Sequence, residues 1–209
     1  MRRRPGFYER RIFPWLNDKL GADPQLLQAR TDALSSARGQ VVEIGFGSGA
    51  NLPFYPAAVE AVVGVEPNEG MRDRAAPRVR SSRARATLVV ADAETLPLID
   101  HVFDTAVSTL TLCSVIDPAR ALRELHRVLR SDGQLIVLEH GLSPDAGVAR
   151  WQHRLDGLQQ VVACGCHLNR PMVDLIEGNG FRFGAVRSYY APAPPRTHGW
   201  ITVGTAVKA

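Results

Sequence analysis

Three glycines at alternate positions follow a short apolar run in residues 41–49, and this segment constrains the fold more than any other. The run itself, Val-Val-Glu-Ile, is mostly β-branched and predicts a strand that is buried on both faces. Gly45, Gly47 and Gly49 permit backbone conformations that other residues rarely adopt, and they allow a ligand to lie against the main chain. Since open α/β sheets bind ligands beyond the carboxyl ends of their strands, the segment predicts such a sheet with a ligand at this turn.

The rest of the chain alternates between strand-like and helix-like segments. Predicted strands span 40–44, 61–65, 87–91, 103–108, 134–138, 181–188 and 200–207, and predicted helices fill the first 38 residues, 69–83, 118–129 and a segment that starts at 169–171. This alternation predicts an α/β fold with a doubly wound, seven-stranded, mostly parallel sheet. The two consecutive strands at the end predict an antiparallel edge, and the first 38 residues predict a helical N-terminal cap.

Composition and length limit the function classes. With 209 residues, 45% hydrophobic and 22% charged, the chain suits one domain with a large core. No apolar run approaches the roughly 20 residues of a membrane-spanning helix, and the arginine-rich start does not resemble a secretory signal. Three cysteines, an odd number, favour a reducing, cytoplasmic setting. The net charge of +4 comes without basic stretches interleaved with aromatic residues, so we expect no nucleic-acid partner.

Acidic residues stand at the ends of three successive predicted strands. Glu43, Glu66 and Asp92 should line one crevice, because parallel strands bring their carboxyl ends to the same edge. Each acid alone is best explained as a helix cap, but three behind a glycine turn favour a cofactor. S-adenosylmethionine fits them: Glu43 and the turn for its ammonium group, Glu66 for its ribose hydroxyls and Asp92 for its adenine amino group.

A nicotinamide dinucleotide is the alternative cofactor. Residues 45–50 match the permissive form of the dinucleotide-binding glycine motif, and Glu66 could hold a ribose. Glu43 argues against it, since its negative charge would lie near the phosphates. An NAD(P)-dependent oxidoreductase and a non-catalytic nucleotide-binding protein therefore stand as alternatives to a methyltransferase.

Five segments carry a resemblance to a known family. Residues 43–49, 64–68, 92–97, 103–108 and 125–135 resemble successive motifs of class I S-adenosylmethionine-dependent methyltransferases, although that family usually has proline-glycine where this chain has Ser131-Asp132. The resemblance implies the Rossmann-like methyltransferase fold, with the cap at 1–38, a cofactor-binding core at 39–140 and acceptor-side helices and strands at 141–209. It also implies a cofactor site that includes the following residues: Asn51, Pro67, Ala93, Glu94 and Thr109.

A narrower resemblance concerns the acceptor. Residues 111–115, 138–140 and 165–170 resemble a group that includes membrane-associated thiol methyltransferases and bacterial phospholipid or quinone methyltransferases. The implied acceptor is a small or lipophilic molecule: a thiol, a quinol or phenol, or an aminophospholipid.

His140, just past the fifth predicted strand, is the best-placed general base if the acceptor must lose a proton. A structural histidine bonded to a neighbouring loop is an equally good interpretation. The acceptor pocket is expected between the N-terminal helices, the loop after strand four, His140 and residues 151–166.

The cysteines and the N-terminus give weaker indications. Cys164, Cys166 and His167 lack a second ligand cluster, so we expect packing and no metal site; Cys113 is expected to be buried or to line the pocket. Arginines and aromatic residues alternate over residues 2–15, which is compatible with peripheral contact to an anionic membrane or with a lid.

Overall fold

Seven strands are present in the described residues, 6–209, of the computed structural model: β1 (Gly39–Ile44), β2 (Val59–Val65), β3 (Arg85–Val89), β4 (Phe103–Thr109), β5 (Leu129–His140), β6 (Phe181–Tyr190) and β7 (Trp200–Lys208). They form one sheet in the order β3-β2-β1-β4-β5-β7-β6. The first five strands are parallel, and β7 pairs antiparallel with both β5 and β6. The predicted mostly parallel sheet is confirmed, and its antiparallel strand lies one position in from the edge.

The helices of the described chain are α1 (Phe13–Gly21), α2 (Pro24–Leu34), α3 (Glu69–Ser81), α4 (Pro118–Val128), α5 (Ala146–Val162), α6 (Met172–Glu177) and α7 (Arg196–Gly199), with a π-helical turn at Tyr8–Ile12 and a 3₁₀ turn at Leu52–Phe54. Asp23 and Asp117 cap α2 and α4 by accepting backbone N–H groups of the first turn, as their positions before proline predict. No helix among the described residues is both long and apolar enough to cross a membrane.

Helices cover both faces of the sheet, and β5 demonstrates it residue by residue. Leu135 and Val137 pack in one hydrophobic cluster with α4, whereas Ile136 and Leu138 pack in a second cluster with α2. Successive side chains of a strand point to opposite faces, so both faces of β5 are buried. This arrangement explains why the strand sequences are continuously apolar.

Most strand boundaries differ from the prediction by one or two residues, and two of the differences bear on the site. β5 begins at Leu129, because Leu129 pairs with Phe103 of β4. The pairing register then shifts, since Thr105 pairs with Gln134, and the turn-like sequence Ser131-Asp132-Gly133 lies within this irregular stretch. β3 ends at Val89, so Asp92 lies three residues beyond the strand and not directly at its end.

Candidate functional site

The glycine turn packs closely against the loop after β4 at Gly45, whereas its main chain is open at Gly47. Gly45, Gly47 and Gly49 all have positive φ angles, of 59°, 58° and 76°. A Cβ atom on Gly45 would lie 2.2 Å from Oγ1 of Thr111, so glycine is needed there for the loop after β4 to approach. A Cβ on Gly47 would have Gly45 O, at 3.7 Å, as its nearest neighbour, so the main chain at Gly47 is open to a ligand.

Glu66 lies beside this open point. Its Oε2 accepts the Gly47 N–H at 2.9 Å, and its Oε1 accepts the Asn68 N–H at 2.7 Å. Burial raises the pKa of Glu66, and the two backbone N–H groups oppose that rise. Each oxygen holds one donor and has capacity for a second. The carboxylate at the end of β2 can therefore still accept hydroxyl groups.

Glu43 is buried in a network of side chains. Its Oε1 accepts from Nδ2 of Asn51 at 2.9 Å, and its Oε2 accepts from the Tyr55 hydroxyl at 2.7 Å. Nη1 of Arg30 donates to Oδ1 of Asn51 at 2.5 Å, and Nδ2 of Asn51 also reaches Oγ1 of Thr109 at 3.0 Å. Burial raises the pKa of Glu43 to about 7 against the opposing effect of its donors and of Arg30.

The network brings together three predicted site residues and two that sequence reasoning missed. Glu43, Asn51 and Thr109 come from three separate segments, as the predicted crevice requires. Tyr55 and Arg30 have no local signal, since one lies beyond a 3₁₀ turn and the other on α2. Only the packing of α2 against this end of the sheet reveals them.

The third predicted group, residues 92–94, lies beside the loop before α4. Oε1 of Glu94 accepts the N–H groups of Ile116 and Asp117 at 2.9 and 3.3 Å, so this oxygen supports the loop before α4. Ala93 is buried in the core cluster beside that loop. Asp92, the residue before Ala93, is half-buried, and its carbonyl oxygen accepts the Thr95 N–H.

The segment before α1 crosses the start of α3, next to Glu66. Nδ2 of Asn68 donates to the Glu9 carbonyl at 2.9 Å, and Arg10 pairs with Glu69 at 2.6 Å. A Cβ on Gly70 would lie 1.9 Å from the Arg10 carbonyl oxygen, so only glycine permits this approach. Pro67, also predicted in the site, is exposed, and its carbonyl oxygen accepts from Arg72.

On the other side of the sheet centre, Glu139 holds the loop after β4. Its Oε1 accepts from the Ser108 hydroxyl at 2.7 Å and from the backbone N–H groups of Thr111 and Leu112 at 2.8 and 2.9 Å. The side chain is completely buried. Its lone pairs serve the loop, so Glu139 is a structural anchor and not a base for an acceptor.

His140 points into a pair of cysteines. Its Nε2 lies 2.9 Å from Sγ of Cys166, and that sulfur lies 3.9 Å from Sγ of Cys113. Nδ1 of His140 is buried without a hydrogen-bond partner among the described residues. Burial alone would lower the pKa of His140, but the bond to Cys166 and the charge of Glu139 outweigh it and raise that pKa.

The residues around Cys166 make separate contacts. Asn169 does not cap α6: its Nδ2 contacts Nδ1 of His153, and the residue before the helix is Pro171, which makes no side-chain cap. His167 turns away from Cys166 and bonds to Asp156 through Nδ1 at 3.0 Å. The potential metal ligands that do meet are Cys113, His140 and Cys166, which no spacing motif connects.

Comparisons with known proteins decide the family. Residues 42–137 match the family model described as "Methyltransferase domain". Human thiol S-methyltransferase TMT1B is 31% identical over 199 residues, which cover 92% of this chain and 79% of that protein. The chain is a class I S-adenosylmethionine-dependent methyltransferase. This methyltransferase therefore uses S-adenosylmethionine, in agreement with the first cofactor hypothesis and not with the nicotinamide alternative.

Two further relatives extend the comparison. A Thermotoga maritima structure described as a SAM-dependent methyltransferase, "possible histamine N-methyltransferase", is 25% identical, covers 97% of this chain and 98% of its own, and has a TM-score of 0.69. Phosphatidylethanolamine N-methyltransferase of Cereibacter sphaeroides is 35% identical over 114 residues, which are 53% of this chain and 56% of that protein. The fold is thus shared along the whole methyltransferase chain, whereas the named acceptors differ.

Proposed function

We propose that this methyltransferase transfers the methyl group of S-adenosylmethionine to a small lipophilic thiol. The observation that carries the proposal is the extent of the match to the thiol S-methyltransferase, 92% of this chain. The phospholipid methyltransferase matches 53% of the chain, so it supports an aminophospholipid only as the second candidate.

The residues of the crevice fit the cofactor. We propose that Glu66 accepts its ribose hydroxyls beside the open main chain at Gly47, and that Asp92 accepts its adenine amino group. Glu43 and Asn51 would face its ammonium group through the buried network. When bound, S-adenosylmethionine supplies a methyl group on a positively charged sulfur, and the protein's task is to align an acceptor with it.

A thiol suits the acceptor side because it requires little acid–base assistance. Its ordinary pKa of about 8.5 leaves a fraction ionised near neutral pH, whereas a phenol or hydroxyl is far less acidic. Glu139 is committed to backbone N–H groups and offers no base. His140 stays the predicted base, with Nε2 occupied by Cys166 and Nδ1 buried.

Exposed apolar side chains of the N-terminal segment and of the end of α5 support a lipophilic acceptor. The Tyr8 hydroxyl donates to the Val162 carbonyl at 2.7 Å and joins the N-terminal segment to the end of α5. Phe7 and Val161, the sequence neighbours of these two residues, each expose 75% of their surface, and Trp15 on α1 exposes 47%. We extend the proposal to peripheral contact with an anionic membrane through this segment; Arg2, Arg3 and Arg4 of the predicted basic run lie outside the described residues. If the Trp15→Ala variant co-sediments with anionic vesicles as much as the unaltered protein does, the proposed membrane contact is wrong.

The cofactor assignment is tested on Glu66. Glu66→Gln keeps the shape but loses the charge that holds hydroxyls, and we expect S-adenosylhomocysteine to bind at least tenfold more weakly by calorimetry. Glu60→Gln is the matched control, because Glu60 is an exposed glutamate near the other end of β2. Equal affinity of the two variants would overturn the assignment.

The acceptor is tested separately with labelled methyl donor. A panel of alkyl and aryl thiols, a quinol and phosphatidylethanolamine in vesicles is compared at equal concentration. We expect label on the thiols. Transfer to the aminophospholipid alone would replace the thiol proposal and leave the cofactor site untouched.

A further inference from the structure

Three side chains of metal-ligand type meet beside the loop after β4. Cys113 follows that strand, His140 ends β5, and Cys166 lies between α5 and α6. One ligand atom from each lies within 4.8 Å of the others. Their separation of 27 and 26 residues along the chain hides the cluster from any motif search.

The sulfur atoms already have the spacing of a tetrahedral site. Two sulfurs bound at about 2.3 Å to one zinc ion stand about 3.8 Å apart at the tetrahedral angle. The Sγ atoms of Cys113 and Cys166 are 3.9 Å apart. Nε2 of His140 lies 2.9 Å from Sγ of Cys166, and a ring shift of about 0.7 Å would open this to the nitrogen–sulfur spacing of such a site.

The groups are poorly satisfied without a cation. Among the described residues, the side-chain partners of Nε2 of His140 and of the two sulfurs are one another and the Ser114 hydroxyl, which lies 3.5 Å from Sγ of Cys113. A cation would take the lone pairs of all three groups and displace the thiol protons to solvent.

The surrounding backbone fixes the ligand-bearing loops to each other. The His167 N–H donates to the Cys113 carbonyl at 2.8 Å, which links the loop of Cys166 to that of Cys113. Arg170 donates to the carbonyl oxygens of Leu112 and Val115, the latter at 2.7 Å. These contacts hold the two cysteine-bearing loops next to each other in the folded protein.

The nearby charges are compatible with a dication on two thiolates. Glu139, the residue before His140, adds a negative charge. Arg170, on the segment that carries Cys166, adds a positive charge. Two thiolates neutralise a divalent cation, so the net charge of the cluster stays zero. Thiolate and imidazole ligands select zinc or copper over magnesium and calcium.

We propose that Cys113, His140 and Cys166 bind one Zn²⁺ ion, with water as the fourth ligand. Three protein ligands and one open position are the pattern of catalytic zinc sites, whereas closed structural sites have four protein ligands. A ring nitrogen bound to zinc cannot accept a proton, so His140 can act as the predicted base only in the zinc-free protein.

The test uses the full-length protein after removal of metals with a chelator. Zinc is titrated against a chromogenic chelator, and Co²⁺ is added to a second sample to detect thiolate-to-metal absorption in the near ultraviolet. We expect one ion per chain, the thiolate absorption and an increase in Tm with zinc. A Co²⁺ spectrum without thiolate absorption overturns the proposal even if no variant folds.

Cysteine variants locate the site. Cys113→Ser and Cys166→Ser should each weaken zinc binding at least tenfold, while Cys164→Ser, which changes the cysteine outside the cluster, should bind as the unaltered protein does. S-adenosylhomocysteine binding reports that each variant is folded. Equal zinc affinity in all three variants assigns the ion to another location and refutes the proposal.

Discussion

Glu43 and Glu139 are both buried glutamates near the ends of central strands, and they are held in opposite ways. Side chains hold Glu43: an amide and a phenol donate to its two oxygens. Glu139 instead receives backbone N–H groups of the following loop. Side chains can rearrange around a ligand, whereas backbone N–H groups cannot be satisfied again without unfolding the loop. The first carboxylate is thus suited to a binding site and the second to the framework.

The two regions meet at Gly45. The loop anchored by Glu139 carries Thr111, which lies where a Cβ of Gly45 would be. Glu139 therefore supports the glycine turn through the loop that carries Thr111. Changes at Glu139 should spread to the turn, and changes around Glu43 should stay local.

The largest effect is expected from Glu139→Ala. It leaves three buried N–H groups, those of Thr111, Leu112 and Cys113, and the Ser108 hydroxyl without an acceptor. The loss should lower the free energy of unfolding by about 3 kcal/mol or more. Urea denaturation measures it. Glu139→Gln, which keeps one acceptor oxygen, should lose less than half as much. Equal losses would mean that charge and not hydrogen bonding holds the loop.

A smaller effect is expected from Tyr55→Phe. The change removes one donor to a buried carboxylate and should lower the free energy of unfolding by about 1–2 kcal/mol. Tyr8→Phe removes a hydroxyl with an exposed hydrogen bond and serves as the matched control, with a loss of less than about 0.5 kcal/mol. If both variants unfold at the same urea concentration, the Glu43 network contributes no stability.

The smallest expected effect is a pH dependence of stability that Glu43 causes. Because its pKa is raised to about 7 in the folded protein, folding favours the protonated form, and this stability is lost as the pH rises through 7. Glu43→Gln cannot ionise. Thermal unfolding from about pH 5 to pH 8 should show its Tm rising relative to the unaltered protein. A Tm difference that does not change with pH would mean that Glu43 has the ordinary pKa of a glutamate in the folded protein.

The sequence predicted those parts of the site that depend on strand ends. The carboxyl ends of parallel strands lie at one edge of the sheet, so the order of the strands was sufficient to place the turn at Gly45 and the side chain of Glu66 at that edge. Asn51 and Thr109 followed from family resemblance, and the structure brings both to Glu43. Glu94 was expected in the crevice, and one of its oxygens accepts backbone N–H groups of the loop before α4.

Sequence alone determined the sheet, the glycine turn and the cofactor, because each depends on local backbone preference and the order of strands. Only the tertiary structure decided what surrounds the acids. Tyr55 reaches Glu43, Glu139 collects N–H groups from another loop, and His140 meets two distant cysteines. Such contacts join residues far apart in the chain, and side-chain packing, which no local pattern encodes, selects among their possible partners.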